Sequence, residues 1–149
     1  MSDVVAQGGV DEAIAQVEQQ LAVLFGRARL LWKDAAAQVH PELQPVGYKI
    51  LSMIVRLEET NAYVLAESLE TDKSVVSRQV RMLEDALLVV SRADDKDGRA
   101  RVLSATPSAV ALVRAAQARQ QDRLRDLLRS KPADEVRAFA GMLELISAG

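Results

Sequence analysis

The chain has 149 residues, 49% of them hydrophobic and 27% charged, with a formal net charge of -2, which suits one globular unit or a helical subunit that shares its core with a second chain. A mean hydropathy near zero and the lack of any apolar run near the roughly 20 residues that cross a bilayer exclude disordered and membrane-spanning classes. With no cysteine, disulfides, thiolate nucleophiles, thiolate metal sites and thiol-based sensing are excluded together, and the negative net charge argues against a nucleic-acid partner unless the cations cluster.

The first residues, MSDVVAQGGVDEAIAQ, are polar and acidic, unlike a secretory signal, so a cytoplasmic location is expected. From Asp11 to about Val39 the residues Ile14, Val17, Leu21, Leu24, Ala28, Leu31 and Ala35 recur at steps of three and four. They form one stripe of a long amphipathic helix, either a seam to another helix or a face packed on its own domain. His40-Pro41 ends it, because the residue before proline leaves the helical region. After Pro45, VGYKILSMIVRLEE reads as a second helix with Ile50, Leu51, Ile54 and Leu57 inward. Thr60-Asn61 offers a cap for a short third helix, AYVLAESL, ending near Glu70. Asp72 is the N-cap expected for a fourth, running to about Ala86 with Val76, Val80 and Leu83 inside.

LLVVSRA is short and rich in valine and leucine, and it predicts a strand from about Leu88 to Ala93. The charged turn DDKDG and then RARVLSA complete a β-hairpin, in which Val102 and Ser104 lie on the face opposite Arg101 and Leu103. Thr106 caps another helix with Pro107 at its first position, continuing past Leu128. Lys131-Pro132 breaks it before a last helix with Val136, Phe139, Leu143 and Ile146 inward.

The centre therefore reads helix, helix, turn, helix, hairpin. In a helix-turn-helix the second helix of the pair enters the major groove. Here that helix carries Ser74, Ser77, Arg78 and Arg81 on one face, opposite Val76, Val80 and Leu83. Arginine can bond guanine bidentately, and serine can contact phosphates or base edges. Lys73, Arg78 and Arg81 are unopposed by any acid between positions 73 and 81, which offsets the net charge of the chain. A solvated helix often carries Ser and Arg outward, so this face alone is also compatible with a neutral surface. The hairpin adds Arg92, Lys96, Arg99 and Arg101 directly after the helix.

The segment DKSVVSRQVRMLEDALLVVSRADDKDGRARVLSATP resembles the MarR family of bacterial transcriptional regulators, most closely from about Leu65 to Pro107. The resemblance implies a mainly α fold with a small β-hairpin wing, a winged helix-turn-helix with N- and C-terminal dimerisation helices. It implies a DNA-binding set of Lys73, Ser74, Val75, Ser77, Arg78 and Arg81 on the recognition helix and Lys96, Asp97 and Arg99 in the wing. Asp94, Lys96, Asp97 and Arg99 meet the family's wing pattern, so Arg99 looks like the minor-groove arginine with Asp97 positioning its guanidinium. Leu87 stands where the family commonly has glycine, at a helix end that suits left-handed backbone.

On this reading residues 1–40 are an N-terminal dimerisation helix, 41–106 the DNA-binding lobe, and 107–149 the C-terminal helices completing the dimerisation region of one intertwined domain. The implied partners are double-stranded DNA with a palindromic operator, a second copy of the chain, and a small anionic or aromatic effector that releases the DNA, which suits a repressor. Trp32, His40 and Tyr48 are the candidate effector contacts, each with a plain packing alternative. A lone histidine excludes a histidine-rich metal site, and no cofactor or catalytic constellation is expected. The rival reading is a winged-helix module that binds proteins rather than DNA. Such a module would not require Ser74, Arg78, Arg81 and Arg99 together.

Overall fold

The computed structural model describes residues 2–149, with side chains described from residue 7 onward. The chain forms two compact units, the first ending at Val113 and the second spanning Arg114–Gly149.

The first unit opens with α1, Ser2–Val39, which starts earlier than its apolar stripe. Of that stripe, Ile14, Val17 and Leu24 are about half exposed, whereas Ala35 is buried, together with Ala36 and Val39 beside it near the C-terminal end of α1. Only this last stretch packs as core, largely against α2, Pro45–Leu57. Pro45 starts α2, where its missing N–H costs nothing. Ile50, Leu51 and Ile54 are fully buried as expected, but Leu57 is 40% exposed because α2 ends at that residue and the chain turns away. Gly47 lets α2 approach its neighbours. A Cβ there would lie 2.6 Å from Leu43 Cδ1 and 2.8 Å from Gln79 Oε1.

Glu58 turns the chain with φ 66°, and Glu59–Thr60 then forms β1, a short strand with no signal in the sequence pattern. Helix α3, Ala62–Ser68, is capped by the Asn61 side chain, which accepts from the Val64 amide at 2.9 Å. Helix α4, Lys73–Asp85, has Asp72 at its N-cap position, but the Asp72 side chain makes no capping bond. The Asp72 carbonyl accepts from Val75 and Val76 instead. Val76, Val80 and Leu83 are buried behind α4. Full burial of side chains of this size contributes roughly 1.5–3 kcal/mol each, enough to fix which face of α4 looks outward.

The strands β2, Val89–Ala93, and β3, Arg101–Ala105, form the expected hairpin. They belong to a three-stranded antiparallel sheet in the order β1-β3-β2, not to an isolated pair. In register, Val89 faces Ala105, Ser91 faces Leu103 and Ala93 faces Arg101, while Thr60 of β1 faces Leu103 on the other side. The buried Leu103, Val89 and Thr60 share one face of this sheet. Ser91 and Arg101 belong to that same face by alternation. Val90, Arg92, Val102, Ser104 and Glu59 occupy the other.

Helix α5, Pro107–Arg129, begins in the first unit, where Ala109 and Val113 are fully buried. The Thr106 hydroxyl caps it, accepting from the Ala109 amide at 3.3 Å. The second unit holds the rest of α5 and α6, Ala133–Ala148. The predicted inner stripe of α6 is not buried within the chain. Of it, Val136 is half-buried beside the end of α5, whereas Phe139, Leu143 and Ile146 are 49%, 42% and 59% exposed.

Candidate nucleic-acid interface

Every residue expected on the outer face of α4 is placed there. Lys73, Ser74, Ser77, Arg78 and Arg81 are exposed and Val75 is half-buried. Opposite them, Val76, Val80 and Leu83 hold the helix to the lobe, so the outward face is set by packing. An α4 of 13 residues spans about 20 Å at 1.5 Å per residue, a length that a major groove admits.

Between α4, the start of α3 and the wing lies an open concavity of about 700 Å³. Lys73, Ser77 and Arg81 line it from α4, and Arg99 and Arg101 from the wing. Ser74 and Arg78 are not among its lining residues and belong to the free outer surface of α4. Lys73, Arg81, Arg99 and Arg101 outnumber the one carboxylate, Glu84. The cations therefore cluster, and the chain's net charge of -2 does not describe this surface.

The wing divides its own cations. Arg92 lies on the outer face of the sheet and donates from Nη2 to Glu59 Oε1 at 3.0 Å, reaching across β3 to β1. The hydrogen bond and charge of Glu59 raise the Arg92 pKa above its ordinary value. Arg101 lies on the other face and donates from Nη2 to Ser91 Oγ at 2.8 Å and to the Ser91 carbonyl at 3.1 Å. Lys96 and Arg99 sit in the exposed turn. Asp94 Oδ1 accepts from the Lys96 amide at 2.9 Å and Asp97 Oδ1 from the Arg99 amide at 3.1 Å. Asp97 thus shapes the backbone of the turn, and the bond it makes is to the Arg99 main chain rather than to the guanidinium that the family pattern suggested. The reason is local: an aspartate two residues before an amide closes an Asx turn.

The three candidate effector residues are dispersed in role. Tyr48 is 5% exposed and belongs to the core. His40 Nδ1 accepts from the Glu42 amide at 3.2 Å and stabilises the turn after α1. Trp32 is 37% exposed, with Lys49 Nζ 3.9 Å from the centroid of its ring, a cation–π contact. Among the described residues no cluster of histidine and acidic side chains is suited to a metal ion, and no helix is long and apolar enough to cross a membrane.

Arg101, Ser91 and Tyr63 line the concavity but are absent from the set expected on family resemblance. Alternation in β3 does put Arg101 on the face of Leu103, which is the signal that locates it. Nothing in the pattern of α3 marks Tyr63, an exposed aromatic in its first turn.

Two packed helices joined by a turn, followed by a hairpin set against the second helix, define a winged helix-turn-helix protein. Residues 43–100 match the MarR family model. That stretch, which holds α2, α3, α4 and β2, is similar to the MarR family. Over 128 residues the chain is 26% identical to an uncharacterised HTH-type transcriptional regulator, YxaD of Bacillus subtilis, covering 86% of this chain and 88% of that protein. The fold is shared with Streptococcus pneumoniae FabT, solved in complex with DNA, at a TM-score of 0.81, 10% identity, and 89% and 94% coverage of the two chains. It is also shared with a mutant MarR from E. coli complexed with operator DNA, at a TM-score of 0.64, 18% identity, and 89% and 94% coverage.

Proposed function

We propose that this protein is a sequence-specific regulator that binds double-stranded DNA as a homodimer at a palindromic operator and acts as a repressor. The observation that carries the reading is the outer face of α4. Ser74, Ser77, Arg78 and Arg81 are exposed together, with Val76, Val80 and Leu83 buried behind them and the cationic wing alongside. Groove-reading and phosphate-binding groups are combined on two adjacent elements, an arrangement that a protein-interaction module does not need. Two proteins of the same fold, FabT and MarR, were solved with DNA.

Dimerisation is supported by large apolar side chains left in solvent. On α1 these include Ile14, Val17, Leu24 and Phe25, and on α6 Phe139, Met142 and Leu145. Apolar surface on this scale marks an interaction site. A two-fold dimer would set two α4 helices about one DNA turn apart, which gives the operator its palindromic form. Release by a small anionic or aromatic effector rests on Trp32 among the three candidates, since its ring stays partly exposed beside the Lys49 cation.

The experiment is selection of bound fragments from genomic DNA by the full-length protein, followed by sequencing. Enrichment of one imperfectly palindromic motif is expected. Recovery of unbiased sequence would contradict the reading.

A further inference from the structure

Among the described residues, Arg101 is the wing cation that is both fixed and aimed at α4. Its Nη2 is held by two bonds to a single residue, Ser91, across the hairpin. Because Arg101 and Ser91 share a sheet face, these bonds lay the side chain over the inner face of the wing, where it lines the concavity with Lys73 and Arg81. Its Nη1 and Nε make no bond among the described residues. By contrast, the Arg92 guanidinium is committed to Glu59 on the opposite face.

On the DNA-binding reading, a strand that leaves a major groove holding α4 and runs toward the wing crosses the space between them. That space is the concavity, and what it would meet there is backbone phosphate. We infer that Arg101, prepositioned by Ser91, grips a backbone phosphate of that strand, with the exposed Tyr63 on the opposite wall as a second contact. The assignment rests on the DNA-binding reading and deepens it: Arg101 supplies affinity without sequence preference, whereas Arg78 and Arg81 supply preference. Ser91 is a positioning residue, because it acts through Arg101. A guanidinium held before binding loses less rotamer freedom when it meets phosphate, and its Nε and Nη1 keep N–H donors for single bonds to phosphate oxygens.

The test is a titration of the full-length protein with a duplex enriched by genomic selection and with an unrelated duplex, each at several salt concentrations. Arg101→Gln is expected to weaken binding to both duplexes by the same factor. It should also reduce the slope of log affinity against log salt by about 1 for each phosphate left without its arginine, so about 2 for a two-half-site operator. Arg101→Lys, which keeps the charge, should restore the slope. Ser91→Ala should weaken binding in the wild-type background and add nothing to Arg101→Gln. An unchanged slope in Arg101→Gln, or an equal loss from Ser91→Ala in both backgrounds, would overturn the assignment while Arg78→Ala still reports on the reading beneath it. Absence of salt-dependent DNA binding by the wild-type protein would overturn that reading and the assignment with it.

Discussion

The hydroxyl of Thr106 donates to the carbonyl of Leu87 at 3.0 Å, joining the residue before α5 to the second residue past α4. The Thr106 amide also donates to the Leu88 carbonyl at 3.0 Å. The whole hairpin lies between these residues, so one side chain both caps α5 and closes the base of the wing. Wing placement relative to α4 is thus determined at its root as well as by the sheet.

Loss of this hydroxyl should therefore cost more than an ordinary surface substitution. Thr106→Ala removes the cap and the hydroxyl's bond to the Leu87 carbonyl. A destabilisation of about 1–2 kcal/mol is expected in urea melts, the upper part of the range for caps. A change below about 0.5 kcal/mol would show that the backbone bond alone holds the joint.

Leu87 adopts φ 58° and is 75% exposed. Its amide donates to the Glu84 carbonyl at 3.0 Å, and the Leu88 amide to the Leu83 carbonyl at 2.9 Å, the paired bonds of a Schellman end. The geometry usual for glycine is kept and leucine bears the strain. Leu87→Gly should raise stability by about 1 kcal/mol, since the side chain buries little surface. A lowered melting temperature would indicate that the exposed leucine packs against a second chain.

Gly47 has no room for a side chain: its added Cβ would meet Leu43 and Gln79 at distances below 3.0 Å. Both side-chain atoms sit beside α2 where it meets α4, and Leu43 is 4% exposed. Gly47→Ala is expected to destabilise by about 1–3 kcal/mol through overpacking. Urea melts of the variant check this, and an unchanged midpoint would show that the Leu43 and Gln79 side chains swing clear.

The two wing arginines on opposite sides of the functional face should behave differently. Arg99 is exposed in the turn and lines the concavity, whereas Arg92 is engaged by Glu59 away from it. Arg99→Ala is expected to weaken DNA binding several-fold with little change in major-groove preference. Arg92→Ala should leave affinity within about twofold, because its guanidinium is paired with Glu59 on the sheet face away from the concavity. Equal weakening by the two would contradict the division of the wing into a DNA-facing and a structural side.

Much of the lobe is legible in the sequence because its periodicities are strong. The stripe Val76, Val80 and Leu83 determines the outward face of α4, and Val-rich strands around a charged turn locate the hairpin. The strand β1 is not legible, since two residues, Glu59 and Thr60, carry no period. The stripes of α1 and α6 predict burial that the single chain does not supply, and the reason is physical: an apolar stripe states that a helix wants a partner, not which chain provides it. Charge is the least informative signal. Arg92 and Arg101 are alike in sequence, and only strand register separates the one paired with Glu59 from the one held over the concavity by Ser91.

The central claim, that the outer face of α4 reads DNA, is tested most directly by fluorescence titration of the selected operator with the wild type, Arg78→Ala and Arg81→Ala. Each substitution is expected to lower operator affinity and to narrow the gap to unrelated DNA, by about 1–3 kcal/mol where the side chain contacts a base. Operator affinity and preference unchanged in both folded variants would contradict it.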